Sequence, residues 1–265
     1  MIETIRPGAS APGARAALLD FDGTLSLIRS GWLDIMLDMM VGTLSALGTG
    51  ETPAELRAAA LDFAWRNTGK DTIYQMIDFA DAIRTRGGRP EDPHFYKQQF
   101  LDTLFEVSSQ RTAELRDHRC PPDRYLVPGA RALLEDLRAR GLTLYLASGT
   151  DHDRLMYEAG LLDITRYFDG GIYGALPDPG AFSKRTLAAR IPGPIIGFGD
   201  GPDETEAVRA AGGVFVGLAT DEPECRAIDP FKRRGLIECG ADYIIPNYLC
   251  RQSLLPILFA DHEPL

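Results

Sequence analysis

The chain has 265 residues, 45% of them hydrophobic and 25% charged, which is enough for one large domain or two smaller ones around a sizeable core. A formal charge of −10 argues against nucleic acid or an anionic membrane as partner, and admits a small anionic substrate only at a locally positive site. No apolar run approaches the roughly eighteen residues of a membrane span.

Residues 1–14 are rich in Ala, Pro and Gly and lack an apolar signal core, so they read as a disordered tail rather than a secretion signal. Ala16-Ala17-Leu18-Leu19 then forms a short buried strand that stops at the polar turn Asp20-Phe21-Asp22-Gly23-Thr24. From Leu27 to about Leu126 the rhythm changes. Trp32, Leu33, Ile35, Met36 and Met39, then Leu56, Ala59, Ala60 and Phe63, then Ile73, Met76, Ile77 and Phe79 recur at helical spacing. A further helix runs from about Pro93 into the 110s and closes before Pro121-Pro122.

After Pro128 short strands and helices alternate. A helix over Ala130–Leu137 ends at Gly141, Leu142–Ala147 is a buried strand, and a helix covers His152–Ala159. Strands follow near Gly171–Tyr173, Pro194–Phe198, Gly213–Gly217 and Tyr243–Ile245. Such alternation implies a parallel sheet covered on both faces. The predicted fold is α/β: a Rossmann-like three-layer core with a central parallel sheet, built from 1–26 and 128–265, and an all-helical cap inserted at 27–127. The four cysteines, Cys120, Cys225, Cys239 and Cys250, lack metal-type spacing and read as reduced thiols of a cytoplasmic protein.

Ligands bind beyond the carboxyl ends of strands in open parallel sheets, so the polar residues after each apolar run are the ones to inspect. Asp20 and Asp22, two apart on an extended chain, turn both carboxylates to one spot, where they repel unless a cation intervenes. Taken alone, Asp-x-Asp-Gly is also an ordinary turn or helix cap. Ser148-Gly149-Thr150 precedes a helix and offers free N–H groups to an anion, or is a plain cap with Thr150 or Asp151 as N-cap. Lys184 opens the helix after Ala181-Phe182-Ser183 and is either a solvated surface charge or the positive group an acidic site needs. Gly199-Asp200-Gly201-Pro202-Asp203-Glu204 brings Asp200 to a strand tip and Glu204 into the next helical turn. Three or four carboxylates at one end of a sheet call for a divalent cation, and hard oxygen ligands point to Mg²⁺.

These four clusters, in this order, resemble the motifs of the haloacid dehalogenase superfamily in its phosphatase-type branch (phosphoglycolate phosphatase and beta-phosphoglucomutase-like). The helical insert after the first motif is similar in position to that branch's cap. The resemblance implies that Asp20 is the nucleophile and a Mg²⁺ ligand. It implies that Asp22 protonates the leaving alcohol and then activates water, while its backbone carbonyl ligates the metal. Ser148 and the Gly149 N–H would hold the phosphoryl oxygens, and Lys184 would neutralise nucleophile and phosphate. Asp200 would ligate the metal directly. Glu204 stands where relatives more often carry Asp, which leaves either Glu204 or Asp203 to complete the shell.

An acid at Asp22 disfavours dehalogenase chemistry, since an alkoxide leaving group needs a proton and a halide does not. Uncatalysed phosphate monoester hydrolysis is slow enough to require accelerations of up to about 10²¹, which positioning and charge must supply. The cap should set specificity, with Arg29 and Trp32 after the first motif and Lys70 in the turn Thr68–Thr72 as substrate contacts. A small phosphorylated metabolite is the expected partner, and Gly217–Glu222 with Gly240–Pro246 resembles sugar-phosphate-directed relatives. A phosphomutase using the same residues is the nearest rival, followed by a non-catalytic phosphate-binding module. A monomer is the default state.

Overall fold

The computed structural model describes residues 1–176 and 182–260. Strands β1 (Glu3–Thr4), β2 (Ala16–Leu19), β3 (Thr143–Asp151), β4 (Gly171–Ala175), β5 (Ile195–Gly199), β6 (Val214–Leu218) and β7 (Tyr243–Ile245) form one sheet in the order β1-β7-β6-β5-β2-β3-β4. All neighbours run parallel except β1, which is antiparallel to β7. Apolar residues on both faces explain the burial. Along β2 the side chains alternate, so Ala17 and Leu19 join one apolar cluster and Ala16 and Leu18 the other. The first cluster is covered by α5 (Ala130–Ala139), α6 (His152–Leu161) and α10 (Arg251–Leu258). The second is covered by α7 (Lys184–Arg190), α8 (Pro202–Ala210) and α9 (Pro230–Glu238). The result is the three-layer Rossmann-like α/β architecture.

The chain crosses from β4 back to β5, on the other side of β2, so the strand order reverses between β2 and β5. That reversal opens a crevice at the carboxyl ends of these strands. Leu19 pairs with Leu146 on one side and Phe198 on the other, which brings the residues just beyond all three strands to one place.

Four helices follow β2: α1 (Trp32–Ser45), α2 (Pro53–Arg66), α3 (Thr72–Thr85) and α4 (Pro93–Arg116). Their starts are set locally. Thr52 and Glu55 form a reciprocal capping box ahead of Pro53, and Asp71 and Asp92 accept from the N–H groups of Ile73 and His94. They enclose an apolar cluster of their own, including Met36, Leu56, Phe63, Met76, Phe79, Tyr96 and Phe100. Two connections join this layer to the sheet. Leu25–Leu27 and Tyr125–Val127 run side by side, with Leu27 N–H donating to Tyr125 O and Val127 N–H to Leu25 O, both at 2.9 Å. Leu25, Leu27, Ile28, Leu115, Leu126 and Val127 pack into the core cluster of the sheet, so α4 serves both layers. The Arg111 guanidinium donates to the carbonyls of Ile28 and Ser30 at 2.9 Å and ties the first connection to α4.

The expected disordered tail is not found. Glu3–Thr4 pairs with β7, Ala9, Ala11 and Ala14 are buried, and the Tyr243 hydroxyl donates to Ala9 O at 2.5 Å. Arg233 donates to Glu3 at 2.7 Å, and Arg6 pairs with Asp242 at 2.7 Å. Small alanines lie flat against the core where bulkier residues would be held off, so a composition that looks like a linker becomes a strap. The four cysteines are free thiols. Among the described residues no helix is long and apolar enough to cross a membrane.

Candidate active site

The tip of β2 leads into a tight turn in which the N–H groups of Leu25 and Ser26 both donate to Phe21 O at 2.8 Å. Gly23 lies at φ +70, and a Cβ there would run into the carboxylates of Asp200 and Glu222. Glycine is thus required twice, by conformation and by approach. Asp20 and Asp22 both line one cavity beneath the helical layer, together with Ser148, Gly149, Thr150 and Asp200. Their side chains nevertheless part company.

Asp20 turns toward Lys184. The Lys184 ammonium, 1% exposed, donates to Asp20 Oδ1 at 2.5 Å and to Glu204 Oε2 at 2.7 Å. Burial works against its charge, but Asp20 and Glu204 outweigh that and hold it above its ordinary pKa. Lys184 is therefore a buried ion-pair partner at the site, not a solvated surface charge; of the turn before it, Ala181 lies outside the described residues. Glu204 also accepts from the Gly201 N–H at 2.6 Å, which closes the first turn of α8. Asp200, at the tip of β5, accepts from Lys232 Nζ at 2.8 Å, and Lys232 donates as well to Glu222 Oε1 at 2.6 Å.

Burial drives both Asp20 and Asp200 above the usual carboxylate range. For Asp20 the effect of Lys184 is opposed by repulsion from Glu204 and Asp200. Asp200 is pushed up to about 6, with Lys232 pulling the other way and Glu204 and Glu222 adding to the rise. Oxygens of Asp20, Asp200 and Glu204 all lie within 4.8 Å of one another. Among the described residues this is the one group of three or more His, Cys, Asp or Glu able to share a cation. Three hard oxygen donors, brought this close together in a buried setting, fit Mg²⁺. Asp203 does not join them and lines a neighbouring cavity instead.

Asp22 has a different setting, and its carboxylate is not part of the acidic cluster. The Thr150 hydroxyl donates to Asp22 Oδ2 at 2.7 Å, while Asp22 Oδ1 is buried without a hydrogen-bond partner. Arg29 stands behind, donating from Nη1 to Thr150 Oγ1 at 2.9 Å and from Nε to Glu158 Oε2 at 3.0 Å. Glu158 is fully buried and also accepts from Arg154 at 2.6 Å. Burial raises the pKa of Asp22, Arg29 opposes this, and Glu158 adds to it. A carboxyl so placed keeps its proton more readily than an exposed one.

Ser148-Gly149-Thr150 lies just ahead of a helix, as expected: α6 begins at His152 with Asp151 at the N-cap position. Strand β3 runs on to Asp151, but its register against β4 shifts between Ala147 and Asp151, so these three residues sit at an irregularity of the ladder. The Ser148 hydroxyl accepts the Thr150 N–H at 3.1 Å. A Cβ on Gly149 would run into the Lys70 carbonyl, so the turn between α2 and α3 closes on this glycine.

The three cap residues expected to meet substrate are placed unevenly. Trp32, Arg29 and Lys70 all line the cavity, but all three guanidinium nitrogens of Arg29 are already engaged. The Lys70 ammonium donates to Asn67 Oδ1 at 3.2 Å and Arg66 O at 3.4 Å, so it is the backbone of Lys70, not its charge, that presses on Gly149. Sequence reasoning missed Lys232, Glu222, Glu158 and Gln75. For the first two a signal existed: Glu222 lies just beyond β6, which adjoins β5, and Lys232 opens the helix after it.

Comparisons with known proteins give the family and the fold. A family model described as haloacid dehalogenase-like hydrolase matches residues 14–212. In solved structures the fold recurs in a phosphonoacetaldehyde hydrolase-like protein from Oleispira antarctica, at 15% identity over 97% of this chain and 98% of that one, TM-score 0.59. It recurs in a hydrolase from Pseudomonas syringae, at 17% identity over 93% and 100%, TM-score 0.57. A beta-phosphoglucomutase from Clostridium difficile matches at 12% identity over 92% and 97%, TM-score 0.57. No curated protein matches the chain in sequence.

Proposed function

The chain belongs to the haloacid dehalogenase-like hydrolases, and from that premise we propose that it is a Mg²⁺-dependent phosphatase of a small phosphorylated metabolite. The observation that carries the reading is the division of labour between two carboxylates in one cavity. Asp20 is held by a lysine among acids, while Asp22 has a raised pKa and one oxygen that accepts no hydrogen bond and has only the Arg29 guanidinium nearby, at 3.8 Å. In the proposed sequence an Asp20 oxygen attacks phosphorus and the ester P–O bond breaks. Asp22 delivers its proton to the departing alkoxide, leaving a phosphoryl group on Asp20. Asp22, now a carboxylate, takes a proton from water. The hydroxide attacks phosphorus, the Asp20–phosphorus bond breaks, and inorganic phosphate and free Asp20 result. Two displacements replace one difficult one.

Lys184 would neutralise charge on Asp20 and the incoming phosphoryl group, and the Ser148 hydroxyl and Gly149 N–H would hold phosphoryl oxygens. Asp20, Asp200 and Glu204 are the side chains that would hold Mg²⁺, with the Asp22 backbone carbonyl as a further donor. When bound, the ion would supply charge neutralisation for the phosphate that the acidic cluster alone cannot. Lys232 would hold one oxygen of Asp200 so that the other is turned to the ion. The experiment is phosphate release from a panel of phosphorylated metabolites with and without Mg²⁺. Release that needs both the ion and Asp20 bears the reading out; isomer formation without free phosphate would make the protein a mutase instead.

A further inference from the structure

The wall facing the acidic floor comes from the helical layer, and its chemistry narrows the substrate. Trp32, Met36, Phe100 and Leu104 line the cavity opposite Asp22 and Asp200. Met36, Phe100 and Leu104 also belong to the apolar cluster of the helices, so the cavity is bounded by the exposed side of that cluster. The nearby cations do not offset this. Each guanidinium nitrogen of Arg29 is spent on Glu158 or Thr150, and the exposed Lys70 ammonium donates to the neutral oxygens of Asn67 and Arg66. The Thr68 hydroxyl donates to Ala64 O at 3.0 Å, and the Gln75 amide N–H does the same at 3.0 Å. Among the described residues this leaves Gln75 Oε1, the Thr72 hydroxyl, the Trp32 indole N–H and one N–H of the Lys70 ammonium as open polar points on that wall.

A polyhydroxylated leaving group would exchange water for apolar contact at most of its hydroxyls, whereas an apolar group would lose nothing polar and gain burial. On the footing of the proposed phosphatase activity, we infer that the preferred substrate is the phosphate monoester of an alcohol with an apolar body, an aromatic ring or branched alkyl chain, and not a sugar phosphate. The sugar-phosphate resemblance drawn from Gly217–Glu222 finds no support in this wall, since none of those residues lines the cavity.

The test compares primary-alcohol esters, whose leaving groups differ little in intrinsic reactivity: benzyl phosphate and 3-methylbutyl phosphate against glucose 6-phosphate and glycerol 3-phosphate, all with Mg²⁺. A kcat/KM at least about tenfold higher for the apolar pair, near 1.4 kcal/mol of discrimination, is expected. Equal or reversed preference overturns the inference while leaving the phosphatase reading intact. No phosphate from any of the four, nor from p-nitrophenyl phosphate, overturns both. Trp32→Ala should reduce the benzyl-to-glucose ratio severalfold, and an unchanged ratio counts against the wall as the selecting element.

Discussion

On the sheet side of the cavity nearly every charged atom has a charged partner: Asp20 and Glu204 share Lys184, while Asp200 and Glu222 share Lys232. On the helical side Trp32, Met36, Phe100 and Leu104 share the lining with polar side chains, and the Arg29 guanidinium is already engaged by Glu158 and Thr150. Buried ion pairs are costly to assemble and add little net stability, so the sheet side is built for charge placement and leans on the surrounding strands to hold it. The helical side gains stability from the same contacts that shape the cavity. Substitutions on the two sides should therefore fail differently, one in chemistry and the other in folding and selection.

The largest effect expected is that of Asp20→Asn, which should lower kcat by roughly 10⁴-fold or more with little change in melting temperature. Full activity would remove the sheet side from the chemistry. Phe79→Ala tests the opposite wall. Phe79 is fully buried and packs edge to face on Tyr96, with ring centroids 4.9 Å apart. Its truncation should cost about 3–5 kcal/mol of stability by chemical denaturation, and a loss below about 1 kcal/mol would deny the helices a core of their own.

Lys232→Met should weaken Mg²⁺ binding by about tenfold or more, read by calorimetric titration, with Lys232→Arg recovering part of it. Equal affinity in all three proteins would make Lys232 a spectator. The smallest effect concerns pH. With its pKa near 6 against an ordinary 3.8, Asp200 takes up a proton more readily folded than unfolded. In chelator-treated protein its contribution is favourable below the ordinary value and is lost as pH rises through about 6. Added Mg²⁺ should thus raise the melting temperature by a few degrees more at pH 7.5 than at pH 5. A rise independent of pH would separate the ion from these carboxylates.

Strand tips were the most legible part of the sequence. Short apolar runs ending in Asp20 and Asp200 announce both the sheet and the crevice, because burial demands the run and the polar stop can only lie at its end. The three-to-four spacing of Met36, Phe63, Met76 and Phe79 likewise announced the helices. Glu158 was hidden because its meaning depends on which helix face turns inward, which is not local, and the signal for Lys232 becomes readable only once β6 is known to adjoin β5. Lys70 was misleading for a related reason: its position in the turn was readable, but the direction of its ammonium is decided by Asn67 and Arg66. The helix start after Ser148 to Thr150 was readable as well, with Asp151 at the N-cap position, whereas the irregularity in the β3 ladder at these residues was not.

The strap formed by residues 3–14 has a further consequence for solubility. Without Glu3–Thr4, the backbone of Tyr243–Ile245 would present open hydrogen-bonding groups at the margin of the sheet, a template for another chain. The covering strand is only two residues long and is flanked by the charged pairs Glu3–Arg233 and Arg6–Asp242, too brief and too polar to recruit a stranger. A segment remote from the cavity thereby covers one margin of the sheet that could otherwise pair with another chain.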